Sequence, residues 1–308
     1  MRMTARDWGM LLCLSLLWGA SFFFVGVALA ALPPLTLVAC RLGLGALALW
    51  AYVLATGRPV PARPGIWAAF AAMGLMNNVI PFSLFAWAQT EIPSGLAAIL
   101  NATTPIFTAL VAGALLPDER LTAGRAAGVL VGAAGAVTVI GPGFLTGLGQ
   151  DLLAQAACLA AALSYALSSV FGRRFRGMRL DPVVTAAGMV TASALLLLPA
   201  ALALDRPWAL SLPGPGVLGA VAGLAILSTA LAYVIFYRVL ASAGTNVMLV
   251  TFLIPVSAIL LGAAFLGERL ELLDFAGMGL IALGLSLIDG RIWRRPGRPA
   301  EAGRLRGG

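Results

Sequence analysis

The sequence predicts an all-α polytopic membrane protein with ten transmembrane helices arranged as two inverted five-helix repeats. Three observations lead to this prediction. Charged residues make up 10% of the 308 residues and hydrophobic residues 61%, whereas soluble domains carry about 25% charged residues. The apolar residues form runs of about 20 residues, the length that crosses about 30 Å of hydrocarbon. A short charged motif, PDERL, is repeated as LGERL 149 residues later.

The apolar runs follow one another along the whole chain, and the links between them are short and rich in Pro, Gly and charged residues. Because hydrocarbon offers the backbone no partners, each run is expected to be a helix with internal hydrogen bonds. The links leave no room for a soluble catalytic domain. The predicted spans are 7–30, 35–56, 66–88, 93–116, 122–140, 151–172, 182–203, 216–239, 244–266 and 272–289.

The distribution of arginine predicts the orientation. All 20 basic residues are arginine, and lysine is absent. With the N-terminus in the cytoplasm, the opposite side holds only Arg206 and Arg269, and Arg41 lies within a span. The positive-inside rule therefore predicts that the N-terminus and C-terminus are both cytoplasmic. The tail, 291–308, is expected to be disordered and to contact anionic lipid, so the net charge of +8 does not indicate nucleic acid.

The repeated motif belongs to a longer internal repeat. At an offset of 149 residues, Glu119-Arg120-Leu121 aligns with Glu268-Arg269-Leu270. Because each copy has an odd number of spans, the second copy must cross the membrane in the opposite sense. Inverted repeats are a signature of secondary transporters, with the substrate site near the midplane. We predict the first repeat at 1–142 and the second, inverted repeat at 143–290. The glycines at 95, 113, 128, 135 and 141 align with those at 244, 262, 277, 284 and 290.

These features together resemble the EamA type of the drug/metabolite transporter superfamily. The local motifs that support the resemblance are Leu17-Trp18-Gly19-Ala20-Ser21-Phe22, Arg41, and Pro105 followed by Glu119-Arg120-Leu121 and Gly128. The resemblance covers about residues 5–290 and implies a multi-pass carrier of small metabolites in the bacterial inner (plasma) membrane, often an amino-acid exporter. Within the family, the chain is similar to the YddG-type exporters of aromatic amino acids. The second half departs from the pattern, with Ser164-Tyr165-Ala166 opposite Trp18 and Met189 opposite Arg41.

Polar side chains within spans predict where a substrate binds, because burying them in hydrocarbon is costly. They occur near mid-membrane on the first, third, fourth, sixth, eighth and ninth spans, which we expect to line a central cavity. The fifth and tenth spans carry rows of small residues and are assigned to helix packing. A serine or threonine in a span can instead bond its own helix, and a tryptophan can simply pack. The candidate substrate-binding residues are Trp18, Ser21, Phe22, Asn77, Asn78, Pro81, Asn101, Tyr165, Ser168, Thr229, Tyr233 and Thr251.

A second group of residues is assigned a structural or gating role. Each Glu-Arg pair either completes a helix-hairpin turn or forms a latch whose partner changes between states. The prolines either kink their helices or free a carbonyl group for a ligand. Arg41 lies about 9 Å into its span, where it either holds a substrate carboxylate or acts as a structural strut. The group comprises Arg41, Pro105, Pro255, Glu119, Arg120, Glu268 and Arg269.

The absence of certain residue types narrows the range of functions that the protein can have. The chain contains no His, and its acidic residues lie near span ends, in links or in the tail. We therefore expect no metal, no cofactor and no catalytic residues, and predict that the protein is not an enzyme. The sequence also lacks a mid-span carboxylate of the kind that proton antiporters use.

The predicted function is that of a facilitator or exporter of small metabolites, including aromatic or apolar amino acids, by alternating access around a neutral central cavity. A carrier of other metabolites or drugs, proton-coupled antiport and a neutral channel are alternatives. The expected partners are a small zwitterionic substrate such as an amino acid and the lipid bilayer, without nucleic acid. The oligomeric state is left open.

Overall fold

The computed structural model describes residues 4–117, 122–140 and 150–289, and all regular secondary structure in these residues is helical. We number the helical segments along the chain and include in each the π turns continuous with it. They are α1 (Ala5–Leu29), α2 (Pro34–Ala55), α3 (Pro64–Ala88), α4 (Ser94–Leu115), α5 (Ala123–Ile140), α6 (Gln150–Gly172), α7 (Pro182–Asp205), α8 (Pro215–Ala243), α9 (Val250–Leu261, continued by Gly262–Leu266) and α10 (Leu272–Asp289).

The membrane class predicted from composition is confirmed. Among the described residues, seven segments are long and apolar enough to cross a membrane: α1 to α4 and α6 to α8. The apolar parts of α5, α9 and α10 are shorter. The predicted span 244–266 differs most from the structure, because Gly244–Leu249 forms 3-10 turns and the α-helix begins at Val250. Gly244 has φ +61°, a conformation that a helix interior cannot hold, so α8 ends there.

The first turns of several helices follow from local sequence. Proline begins α2, α3, α7 and α8, at a position where its missing N–H has no intrahelical partner to lose. Before α7, the carboxylate of Asp181 accepts hydrogen bonds from the N–H groups of Val183 (2.8 Å) and Val184 (3.2 Å). These signals place the helix starts within a few residues of the predicted spans.

The packing of the helices repeats with a step of five. Helix α1 packs against α8 and α9, and α6 packs against α3 and α4. Helix α2 packs against α8, as α7 does against α3. The pairs α2–α7 and α5–α10 are each formed by equivalent helices. If every helix is replaced by its counterpart in the other copy (α1 by α6, α8 by α3, α9 by α4), one set of contacts becomes the other. A two-fold relation between two copies produces this packing.

Hydrogen bonds at the helix ends give the relative direction of α2 and α7. At the start of α2, the N–H and the hydroxyl of Thr36 both donate to Asp205 at the end of α7, at 2.6 and 2.9 Å. At the start of α7, Asp181 forms an ion pair with Arg58, three residues beyond the end of α2. Each helix thus begins where its counterpart ends, and the two equivalent helices are antiparallel.

Helices α5 and α10 meet along a seam of glycines. A Cβ atom on Gly128 would overlap the backbone at Gly284, and one on Gly135 would overlap the backbone at Gly277. The residue numbers on α5 rise as those on α10 fall, so this pair is also antiparallel. Since lipid provides little hydrophobic drive for helix association, such close backbone approach is what holds the pair together. The predicted rows of small residues therefore pack within one protomer.

The seam predicts a contrast between two glycines of α10. In Gly284→Ala, the new methyl group meets the backbone of Gly128 and Gly132, and we expect a loss of about 1–3 kcal/mol, the usual effect of overpacking. In the control Gly279→Ala, the methyl group has nothing within 4 Å, so stability should stay equal or rise slightly with helix propensity. Thermal unfolding of the purified proteins in detergent measures both changes. Equal unfolding temperatures would contradict the seam.

Candidate functional site

A widened turn at the middle of α3 shapes the centre of the protein. Leu75–Val79 forms a π turn in which the N–H of Ile80 donates to the carbonyl group of Leu75. In the same register, the carbonyl group of Met76 would need the N–H of residue 81, which is a proline. That carbonyl group instead accepts a hydrogen bond from the hydroxyl of Ser164 on α6, at 2.7 Å. Pro81 thus frees a backbone acceptor that joins the two repeats, and π turns are frequent at functional sites.

The equivalent helix α8 is widened at the same place. Gly223–Leu231 forms a longer π segment, in which the hydroxyl of Thr229 donates to the carbonyl group of Leu224 at 2.9 Å. Its neighbour Ser228 donates to the carbonyl group of Leu17 on α1, at 2.6 Å. The serine-to-carbonyl bond between α6 and α3 therefore has a counterpart between α8 and α1. The donor lies on α6 in the first bond and on α8, the counterpart of α3, in the second.

Five side chains form a hydrogen-bonded network around the π turn of α3. The side-chain NH₂ of Asn77 donates to the hydroxyl of Tyr233 at 3.1 Å, and that hydroxyl donates to Oδ1 of Asn78 at 3.0 Å. Ser168 donates to Oδ1 of Asn77 at 2.9 Å, and the NH₂ of Asn78 donates to Ser193 at 2.9 Å. We call this set the central network. It joins α3 of the first repeat to α6, α7 and α8 of the second.

The two asparagines have different environments. Asn78 is fully buried, at 0% exposure, and both ends of its amide are bonded. Asn77 is half-buried, and its NH₂ also lies 3.9 Å from the sulfur of Met189. Adjacent helical residues point about 100° apart, so the pair reaches neighbours on different sides of α3. Asn78 therefore holds helices together, and Asn77 is the member of the pair with surface available to a ligand.

Arg41 lies beside the central network. Its side chain is 7% exposed, its Nε donates to the hydroxyl of Thr229 at 3.0 Å, and its guanidinium carbon lies 3.6 Å from the ring centroid of Phe82. Within the described ranges, the ion pair is that of Arg58 and Asp181, so Arg41 has no carboxylate partner there.

Aromatic rings line the adjoining part of the interface. Phe85 packs edge-on against Phe22, with ring centroids 5.6 Å apart, and is stacked with Tyr165 at 6.3 Å. Trp18 contacts Phe236 at 5.5 Å. The structure thus brings Phe22 and Tyr165 of the predicted set together around Phe85, whereas Trp18 packs against Phe236.

The other predicted residues lie at or near these helices but in different settings. The hydroxyl of Ser21 donates to the carbonyl group of Trp18, at 2.6 Å, within its own helix. Asn101 ends the first part of α4, where Thr104 donates to its carbonyl group at 2.7 Å. Pro105 follows this break in α4, whereas Pro255 lies buried inside α9. Thr251 is half-buried on α9.

Glu268 bridges the α9–α10 link to the start of α4. Its Oε1 accepts a hydrogen bond from the N–H of Ser94 at 2.7 Å, and its Oε2 accepts from the Ser94 hydroxyl at 3.0 Å and the N–H of Gly95 at 3.1 Å. A carboxylate at this position satisfies the unpaired N–H groups of the first turn and the helix dipole. Arg269 is exposed. Glu119 and Arg120, the repeat counterparts, lie outside the described residues.

Several residues of the site were missed from the sequence. Ser193 of α7 and the phenylalanines Phe82 and Phe85 of α3 were not among the candidates, and α7 was not expected to contribute. The spacing of Asn78, Phe82 and Phe85, four and then three residues apart, is that of one helix face. That spacing could have indicated the phenylalanines, whereas one serine among several in an apolar span offers no comparable signal.

Family comparison agrees with this architecture. The model of the EamA-like transporter family matches the chain twice, at residues 8–141 and 152–289. The chain belongs to the EamA-like transporter family. It is a multi-pass protein of the inner membrane that transports small metabolites. The EamA unit therefore occurs twice in the chain.

Individual EamA relatives are distant but cover nearly the whole chain. The "Uncharacterized inner membrane transporter YedA" of Escherichia coli strain K12 is 27% identical over 300 residues, 96% of this chain and 94% of that protein. The "Probable amino-acid metabolite efflux pump" of the same strain is 26% identical, over 95% of this chain and 98% of that one. A crystal structure matches with a TM-score of 0.66 at 23% identity, covering 93% of this chain and 98% of that chain, which shows a shared fold.

The central network predicts a stability loss for Tyr233→Phe. Removing this hydroxyl deprives Asn77 of an acceptor and Asn78 of a donor in a buried setting, so we expect a loss of about 1–3 kcal/mol. The matched control is Tyr52→Phe, which removes an exposed hydrogen bond with Arg238 and should cost less than about 1 kcal/mol. Thermal unfolding in detergent compares the two. A larger loss in the control would contradict the structural role of the network.

Proposed function

We propose that this EamA-family chain exports amino acids or amino-acid metabolites, including aromatic or apolar ones, by alternating access between two inverted five-helix repeats. The observation that carries the proposal is the central network, which places hydrogen-bonding and aromatic groups of both repeats together at mid-helix. An interface between repeats is where secondary transporters bind their substrates. The resemblance to YddG-type exporters of aromatic amino acids, which comes from the sequence alone, leads to the same proposal.

The inverted arrangement is supported by the antiparallel contacts of equivalent helices. Thr36 meets Asp205, and Arg58 meets Asp181, at opposite ends of the α2–α7 pair. A second repeat that crosses the membrane in the opposite sense would produce such an antiparallel pair of equivalent helices. With ten crossings, both termini lie on the same side of the membrane, and the arginine distribution favours the cytoplasmic side.

The chemistry of the centre suits an amino acid with an apolar side chain. The rings of Phe22, Phe85 and Tyr165 pack together there, and aromatic groups accommodate apolar side chains and can also hold an ammonium group. The half-buried Asn77 supplies an amide beside them. An Escherichia coli relative named as a probable amino-acid metabolite efflux pump, 26% identical, supports this substrate class.

Alternating access requires contacts at the helix ends to break on one side at a time. At the end that the proposed orientation places outside, Glu268 joins the α9–α10 link to α4, and Asp205 joins α7 to α2. At the cytoplasmic end, Asp7 of α1 accepts a hydrogen bond from Ser242 of α8, at 2.6 Å. Each of these hydrogen bonds joins one repeat to the other, so rocking of the repeats would exchange them while the middle keeps its contacts.

The test is counterflow in proteoliposomes. Vesicles containing the purified protein are loaded with unlabelled Phe, Trp, Leu, Thr or Met, and entry of the labelled amino acid is followed with and without a proton gradient. We expect saturable uptake that depends on the loaded amino acid and is insensitive to the gradient. Uptake that needs the gradient would replace the facilitator mechanism with proton coupling. The absence of counterflow for all amino acids tested would contradict the proposed substrate class.

The site assignment predicts an order among three alanine variants. Asn77→Ala removes the network's half-buried amide and Trp18→Ala a half-buried ring, so each should lower the transport rate by about tenfold or more, the value of one hydrogen bond or ring contact. Glu268→Ala removes a cap at a helix end and should have a smaller effect. Initial rates at equal reconstituted protein measure this order, and the reverse order would contradict the site assignment.

A further inference from the structure

We propose that Arg41 binds the carboxylate of the transported molecule through the two terminal nitrogens of its guanidinium group. The centre then selects substrates with a free carboxylate and does not accept their amides or the corresponding amines. This inference rests on the proposed function and narrows its substrate class. It also replaces the neutral cavity expected from the sequence with one that carries a single positive charge.

The first argument is the burial of Arg41 without a counterion. The side chain is 7% exposed, and the described part of the chain gives it no acidic partner. Among the described buried residues, the other charged side chains are Asp7 and Asp274, near the starts of α1 and α10. Buried charges in proteins are paired or bind ligands, because leaving water is costly for an isolated charge. An anionic substrate would supply the missing charge.

The second argument is the way the guanidinium group is held. Nε is engaged by Thr229, and one face of the group lies on the ring of Phe82. These contacts fix the plane and leave the edge formed by the two terminal nitrogens. In the described residues, the fully buried side-chain atoms without a hydrogen-bond partner are Ser83 Oγ, Gln89 Oε1 and Gln155 Oε1. The two terminal nitrogens of Arg41 are not in this group. A fixed planar edge with two parallel donors matches a carboxylate.

The third argument is the difference between the repeats. The counterpart of Arg41 in α7 is Met189, whose sulfur lies near the amide of Asn77. Tyr165 and Tyr233 lie on helices of the second repeat, α6 and α8. The centre therefore has a cation on one side of the two-fold relation and an apolar thioether on the other. A bound amino acid would be oriented by this difference, with its carboxylate toward α2.

A structural strut and a phosphate site are less consistent with these contacts. A strut would be expected to bond helix-end carbonyl groups, but the acceptor beside Arg41 is the hydroxyl of Thr229, which itself donates to the carbonyl group of Leu224. A phosphate ester carries more charge and is usually held by several cations. In the described residues, Arg41 is the one buried arginine.

The experiment compares ligands that differ in the carboxylate. Counterflow of labelled leucine is competed with unlabelled leucine, leucinamide and 3-methylbutylamine, in the natural protein and in Arg41→Met, which installs the residue of the second repeat. In the natural protein, leucine should compete about tenfold or more better than leucinamide, as expected for a charge-assisted bidentate pair. In Arg41→Met, the two should compete about equally. Arg41→Lys keeps the charge but loses the planar edge, so its preference for leucine over leucinamide should lie between those of the natural protein and Arg41→Met.

Two results of the competition experiment would overturn the proposal. One is equal competition by leucine and leucinamide in the natural protein, and the other is an undiminished preference for leucine in Arg41→Met. The control is Arg238→Met, which removes an exposed arginine of α8 and should leave the preference unchanged. If Arg41→Met does not fold, Thr229→Val, which removes the acceptor for Nε, should lower the preference several-fold, and an unchanged preference in that variant also counts against the proposal.

A binding measurement separates this inference from the proposed function. The unfolding temperature of the purified protein is measured with 4-methylpentanoate, with leucine and with a phosphate monoester. Failure of amino-acid counterflow together with carboxylate stabilisation that disappears in Arg41→Met would reject amino-acid transport and keep the carboxylate site. Stabilisation by the phosphate ester alone, or by none of the three, would reject the carboxylate site.

Discussion

Hydrocarbon supplies no hydrogen-bond partners, and the centre of this protein is organised by that constraint. The π turn of α3 and Pro81 leave the carbonyl group of Met76 without a helical donor, and Ser164 of the opposite repeat satisfies it. The amides of Asn77 and Asn78 are satisfied in the same way, by residues of α6, α7 and α8. Each of these hydrogen bonds joins the two repeats. The bonds that satisfy the buried polar groups therefore also hold the residues of the site together.

The two-fold relation between the repeats determines how the helices pack, and the residues that differ between the repeats determine the chemistry of the site. Packing is conserved between the copies where backbones approach, as in the glycine seam of α5 and α10. The equivalent positions differ around the central network, where Trp18 corresponds to Tyr165, Asn78 to Thr229 and Arg41 to Met189. A symmetric frame lets the same motion open either side, while an asymmetric centre holds the cargo in one orientation.

Periodic and compositional features were predictable because they depend on many residues at once. The apolar runs appear in the structure as helices close to their predicted places. The start of α9 was harder, because the conformation of Gly244 is a single-residue property. At the site, Asn77, Asn78, Ser168 and Tyr233 were predicted and do meet, but Ser193 and Phe82 were not, since their importance depends on which neighbours they reach.

The sequence by itself determined the membrane class, the helical segments, the doubling of the unit and the presence of a lone arginine within a span. These follow from local hydrophobicity and from similarity along the chain, both of which can be seen without knowing any contact. Only the tertiary structure decided the partners: Glu268 at the start of α4, Asp205 at the start of α2, and Arg41 between Thr229 and Phe82. Such contacts join residues more than 150 positions apart in most cases, and helix rotation and depth, which residue order does not specify, select them.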